Sequence, residues 1–143
     1  AQRIRDHAGP DQVLTLAAQI EAEIAELPEE DRATFLADLG LDSTGVNRLI
    51  VAGYRLLDLI TFYTVANGKL QAWQLPSGTA APQAGGTIHT DMERGFIRAE
   101  VVSSEDLVSM GSMDRLREAG KLRTEGKAYV VQDGDVMQFL FKA

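Results

Sequence analysis

The sequence contains no cysteine. Disulfides, thiolate nucleophiles and thiolate metal ligands are therefore excluded, and the composition fits a reducing, cytoplasmic setting. Histidine is almost as scarce: only His7 and His89 occur, they lie far apart, and no His-x-x-x-His pair exists to start a zinc site. No apolar run approaches the roughly 20 residues needed to span a bilayer. The opening AQRIRDHAGPDQ has no apolar core of the kind a signal peptide needs, and it does not start with Met, so either processing or a longer parent chain is expected. A P-loop, Gly-x-x-x-x-Gly-Lys-Ser/Thr, is missing as well. Gly120-Lys121 and Gly126-Lys127 lack both the upstream Gly at the right spacing and the following Ser or Thr. Without backbone amides and a lysine arranged around phosphates, this chain is not expected to hydrolyse a nucleoside triphosphate by itself. Nor is there an overall excess of positive charge. The net charge of −7 excludes a generic nucleic-acid binder.

What is present is an ordinary globular composition. The chain has 143 residues, 45% hydrophobic and 24% charged, enough for one domain, or a small domain with an appendage, around a real core. The acid is unevenly spread: residues 1–58 carry 5 Lys/Arg against 11 Asp/Glu, and residues 59–143 carry 9 against 10. VLTLA, residues 13–17, reads as a buried strand after a Gly-Pro break. Ile20, Ile24 and Leu27 then recur at helical spacing. Pro28 with Glu29, Glu30 and Asp31 opens a second helix, striped by Phe35, Leu36 and Leu39 and stopped by Gly40. Asp42 or Ser43 is the expected cap of a third helix, with Val46, Leu49, Ile50, Gly53, Tyr54 and Leu57 on one face. One strand followed by helices makes no sheet, so this part looks like the tail of an α/β domain.

Near Leu59 the texture changes. Residues 59–65 are β-branched and aromatic, Asn67-Gly68 signals a type I′ hairpin, and residues 70–75 return. A short helix is expected from Ala80 to His89, a strand from Phe96 to Val102, and short helices over Glu105–Met110 (capped by Ser103 or Ser104) and Met113–Ala119. Final strands are expected at Tyr129–Val131 and Val136–Phe141. That order is the order of a β-grasp, the ubiquitin-like half-barrel. The fold class is therefore α+β: a β-grasp domain over residues 59–143, preceded by a mainly helical segment over residues 1–58.

Four clusters invite a chemical reading. His89-Thr90-Asp91 is a run of neighbours, and adjacent residues do not face one another. They cannot by themselves build a nucleophile–base relay, so the run reads as a turn, with Gly95 supplying a positive φ before the strand. Glu21, Glu23, Glu26, Glu29 and Glu30 read as a solvated helix face. Asp133-Gly134-Asp135 lacks the closing carboxylate of a calcium loop and reads as a turn. Residues 115–127 form the one local basic excess, with Arg115, Arg117, Lys121, Arg123 and Lys127 against Glu118 and Glu125. This rim is either a phosphate-contacting surface, with salt-dependent affinity, or an ordinary charged surface of Glu–Arg pairs. Trp73 and Phe96 are the aromatics available to stack on bases, but as strand residues they read as core.

Two stretches carry a family resemblance: LQAWQLPSGTAAPQAGGTIHTDMERGFIRAEVV, and GKLRTEGKAYVVQDGDVMQFLFKA. They resemble the C-terminal TGS domain of YchF/Obg-like ATPases. IHTDMERGFIRAEV and EGKAYVVQDGDVMQF are the most specific parts of the match, and the preceding VLTLAAQIEAEIAELPEEDRATFLADLGLDSTGVNRLIVAGYRLLDLITFYT is similar to the segment before TGS. The resemblance implies that residues 1–58 are the end of a P-loop nucleotide-binding domain and that residues 59–143 are TGS. It implies an intact protein that also carries the P-loop and a coiled-coil insertion, binds ATP or GTP with magnesium, and associates with the large ribosomal subunit. No cofactor is implied for this chain alone. Of the nucleotide-binding elements, only Ala17-Ala18-Gln19 corresponds to a family segment, the Ser-Ala loop whose backbone nears the base; Ala17 stands where the family has Ser. The best candidates for ribosome or RNA contact are Arg115, Arg117, Lys121, Arg123 and Lys127. The rival reading is an intramolecular, regulatory lid that packs on the protein's own ATPase and coiled-coil domains.

Overall fold

The computed structural model describes His7, residues 13–66 and residues 69–142. It divides into two compact units, residues 1–57 and 58–143, each described by itself.

The described part of the first unit is helical: α1 (Ala18–Glu26), α2 (Glu29–Asp38) and α3 (Gly45–Leu56). Ile24 is its buried anchor, at 2% exposure. α3 begins where the Thr44 hydroxyl accepts from the Asn47 amide at 3.2 Å, so Thr44 is the cap, one residue past the expected Asp42 or Ser43. The Gly45 amide donates to Glu21 Oε1 at 2.7 Å and ties α3 to α1. A Cβ on Gly45 would overlap the Leu16 and Glu21 side chains, which is why this helix starts on glycine. The expected strand at residues 13–17 is not formed. A strand is defined by a hydrogen-bonded neighbour, and among the described residues no other extended segment of this unit lies alongside it.

The second unit holds a five-stranded mixed sheet: β1 (Leu59–Ala66), β2 (Lys69–Pro76), β3 (Phe96–Ser103), β4 (Arg123–Glu125) and β5 (Asp135–Phe141), in the order β2-β1-β5-β3-β4. β1 pairs antiparallel with β2 from Leu59↔Pro76 to Ala66↔Lys69, and parallel with β5 at Tyr63↔Val136 and Thr64↔Met137. The Asn67-Gly68 turn lies outside the described residues. Between strands run α4 (Ala81–Ile88), α5 (Thr90–Arg94), α6 (Ser104–Met110) and α7 (Met113–Glu118).

Strand alternation sorts the apolar residues into two cores, one on each sheet face. Phe62, Ala99, Val101 and Met137 meet Ala81 and Ala84 of α4 on one face. Phe139 stands edge-on to Phe62 and Phe96, with ring centroids 6.2 and 6.3 Å away. The small residues of α4 let it lie close: a Cβ on Gly85 would already touch Met92 and Phe139. On the other face Val102 and Val136 meet Leu116 of α7, with Leu107 and Met110 of α6 beside them. Trp73 and Phe96 are packed against the first core, and the Trp73 indole donates to Thr64 Oγ1 at 3.0 Å.

Three expectations for this unit are corrected. Tyr129–Val131 is not a sheet strand; it makes a single bridge, Ala80↔Val130, because Val131 instead turns inward to the first core. The strand beside β3 is Arg123–Glu125, inside the basic segment. His89-Thr90-Asp91 is not a bare turn but the start of α5, where His89 Nδ1 accepts from the Asp91 amide at 3.2 Å. Gly95 has φ −92°, not positive. Its constraint is steric, since a Cβ there would collide with the Lys142 carbonyl.

Candidate functional site

The basic segment runs from α7 through β4 to the loop before Tyr129. The Ser112 hydroxyl caps α7 by accepting from the Arg115 amide at 3.3 Å, and Leu116 pins the helix to the second core. The cations on its outer side are mostly engaged. Arg115 Nη1 donates to the Met110 carbonyl at 3.4 Å. Arg117 pairs with Asp114 and with Glu100 of β3, both at 3.1 Å. Lys121 pairs with Asp106, and this contact holds the Asp106 carboxyl below its usual range. Arg123 pairs with Glu125 at 3.3 Å. Among the described residues, Lys127 alone of the five makes no hydrogen bond or ion pair.

Arg123 also belongs to a cluster that no sequence motif signalled. Asp135 is 3% exposed, the one buried charged residue among those described. Its Oδ2 accepts from the Tyr129 hydroxyl at 2.7 Å and from the Gln132 amide at 2.9 Å, and Arg123 Nη2 lies 3.5 Å from Oδ1. The Arg123 guanidinium stands 5.4 Å from the Tyr129 ring centroid and donates to the phenolic oxygen at 3.1 Å. Burial, and then the hydrogen bond to Asp135, push the Tyr129 hydroxyl up to about 12. Every member is hydrogen-bonded within the chain, so the cluster is a structural lock at the β4–β5 turn. The adjoining Asp133 and Gly134 do a related job: the Thr61 amide donates to Asp133 Oδ1 and the Thr61 carbonyl accepts from the Gly134 amide, both at 2.8 Å, which fixes the turn to β1.

Ala17, Ala18 and Gln19 form the first turn of α1, where backbone amides face outward. Ala17 and Ala18 are exposed, and Gln19 Nε2 donates to Glu23 at 3.3 Å. Such a turn can offer backbone groups to a base; its side chains bring neither a lysine for phosphates nor a hydroxyl or carboxylate for magnesium. Among the described residues no group of three His, Cys, Asp or Glu is placed to hold a metal ion. No helix among them is long and apolar enough to cross a membrane. α3 carries an exposed apolar face, with Val46, Leu49, Ile50 and Leu56 all more than half exposed. An open groove along α3 is lined by Leu14, Arg48, Leu49, Ala52 and Leu56.

With that geometry in view, comparison with known proteins is informative. Residues 59–142 match the family YchF-GTPase_C, described as a protein of unknown function (DUF933). Over 129 residues the chain is 51% identical to the ribosome-binding ATPase YchF of Escherichia coli O157:H7, covering 90% of this chain and 36% of that protein. Against the ribosome-binding ATPase YchF of Bacillus subtilis (strain 168) it is 48% identical over 141 residues, covering 97% and 38%. The structure of the Schizosaccharomyces pombe YchF GTPase superposes with a TM-score of 0.82 at 31% identity, over 97% of this chain and 37% of that one. A GTP binding protein from Pyrococcus horikoshii OT3 shares the fold at a TM-score of 0.51 and 19% identity. The chain thus spans 36–38% of the length of the curated relatives named here.

Proposed function

The chain belongs to the YchF family, as a C-terminal part of such a protein, and from that membership we propose that it is the non-catalytic docking portion of a cytoplasmic, ribosome-binding ATPase. The single observation that carries this reading is 51% identity, across 90% of the chain, to a relative named for ribosome binding. In this reading residues 1–58 end the nucleotide-binding domain, and the apolar face of α3 is where that domain continues. Residues 59–143 are a TGS domain of β-grasp type. The strand order β2-β1-β5-β3-β4 supports that assignment, with its parallel β1/β5 pair in the centre and α4 across one face. ATP or GTP and magnesium belong to the whole protein, because this chain has no P-loop. The partner is the large ribosomal subunit. Arg115, Arg117, Lys121, Arg123 and Lys127 contribute through an exposed surface; the exposed ion pairs of Arg117 and Lys121 are worth only about 0–1 kcal/mol each, so phosphate can displace those carboxylates.

A second reading has one observation behind it. Four of the five basic side chains are engaged inside the chain, as an intramolecular lid would require of residues that never meet RNA. Co-sedimentation of the chain with large ribosomal subunits across a salt series separates the two. Salt-sensitive binding supports docking. A folded chain that does not sediment with the subunits at low salt overturns docking and favours the lid.

A further inference from the structure

Three cations stand apart from the basic segment. Among the described residues, the side chains of Arg94, Arg98 and Lys142 make no hydrogen bond or ion pair, and all three are exposed. The backbone brings them to one end of the sheet. Arg94 closes α5, and the next residue, Gly95, is hydrogen-bonded to the end of β5: the Lys142 amide donates to the Gly95 carbonyl at 2.9 Å. Arg98 lies opposite Leu140, two residues before Lys142. The register slips between Phe96 and Arg98, a β-bulge. A bulge breaks alternation and re-aims side chains at a sheet edge. Here Phe96 and Ala99 stay buried while Ile97 and Arg98 are both exposed, Ile97 at 56%.

The nearby carboxylates differ in their engagement. Among the described residues, Asp91 and Glu93 are exposed and hold no cation, since His89 Nδ1 accepts from the Asp91 amide and Glu93 lies beside Gly86 of α4. Glu100 is held by Arg117. Arg94, Arg98 and Lys142 are thus exposed cations with no internal pair, next in sequence to the exposed Ile97 and Phe141, on a chain whose net charge is −7. Against that background a local positive surface selects a polyanion by position rather than by bulk attraction.

We propose that Arg94, Arg98 and Lys142, presented by the bulged start of β3 and the end of β5, are the principal contacts to an RNA phosphate backbone. This inference rests on the ribosome-docking reading and moves its centre away from residues 115–127. Free guanidinium groups favour phosphate over carboxylate-bound ones for a simple reason: no internal pair must be broken before contact.

The test compares the whole chain with two triple variants, Arg94→Ala/Arg98→Ala/Lys142→Ala and Arg115→Ala/Arg117→Ala/Lys121→Ala. A third variant, Arg94→Lys/Arg98→Lys/Lys142→Arg, keeps the charge. All are first matched to the parent by circular dichroism and melting temperature. Binding is then measured to large ribosomal subunits and to protein-free ribosomal RNA, against salt. The proposal expects the first variant to bind both more weakly, with the salt slope reduced by roughly two to three, about one for each phosphate no longer neutralised. The second variant should also weaken binding, but by a smaller factor and with a smaller drop in salt slope than the first, and the charge-keeping variant should retain most of the binding. Unchanged binding by the first variant would overturn the patch while leaving ribosome docking intact. Binding to subunits but not to bare RNA would replace the RNA with an acidic protein. No binding by the parent chain would remove docking itself, and the patch with it.

Discussion

Tyr129 gives its phenolic hydrogen to the carboxylate of Asp135 across 2.7 Å, and that carboxylate is almost wholly buried. The pair locks the turn into β5, so it sets both stability and a pH response. Tyr129→Phe leaves Asp135 with the Gln132 amide and Arg123, and is expected to cost about 1–2 kcal/mol in urea unfolding. A cost under a few tenths would show the bond to be idle.

The same hydroxyl predicts an alkaline limb. Its folded pKa is raised from 10.0 to about 12, chiefly by burial. Between those values the unfolded chain has released the proton and the folded one has not, so deprotonation favours unfolding. The contribution is complete below pH 10 and is lost as pH rises towards 12. Stability measured through this window should fall in the parent chain, and fall less in Tyr129→Phe. Equal slopes would assign the limb to other groups.

Two glycines should respond in opposite directions. Gly95→Ala drives a Cβ into the Lys142 carbonyl and is expected to destabilise the second unit by about 1–3 kcal/mol. Gly53 lies inside α3, and beyond the adjoining helix backbone no atom stands within 4 Å of where an alanine methyl would sit, so Gly53→Ala should stabilise that helix by about 0.5–1 kcal/mol. Hydrogen exchange resolved by residue would read each change in its own unit.

His89 should behave as a cap and nothing more. His89→Ala removes the acceptor for the Asp91 amide and is expected to cost about 0.5–1 kcal/mol, with ribosome binding unchanged. Weaker binding by a folded His89→Ala variant would give this residue a role beyond the helix start.

Arg117 and Glu100 lie 3.1 Å apart, with half of the Arg117 side chain exposed. A double-mutant cycle on the pair should give a coupling of about 0.5 kcal/mol or less. A coupling several times larger would mean that the basic segment is held too firmly to be turned towards phosphate.

How much of the fold can be read in the sequence depends on how local the cause is. The helices other than α5, and β1, β3 and β5, are legible because periodicity and β-branched runs act over a few residues. β4 is not: Arg123–Glu125 is three residues long and polar, and it is a strand only because β3 offers it an edge. Tyr129–Val131 has the right residue types but finds a core instead of a ladder. The basic segment is visible as composition, yet composition cannot show that Glu100, distant in sequence, neutralises Arg117. Arg94, Arg98 and Lys142 escape for the complementary reason. They are scattered along the chain, and only the register of β3 on β5 collects them.

The first and last strands of the second unit are neighbours, joined in parallel at Tyr63↔Val136. During synthesis, β1 and β2 leave the ribosome as a lone hairpin, which is marginal in water. Their central partner is made last, so the sheet closes only after nearly all of the unit has been translated. A premature stop before Asp135 would remove the middle of the sheet rather than its edge. Nascent chains of this unit are therefore expected to stay open to proteases and chaperones until the final strand emerges.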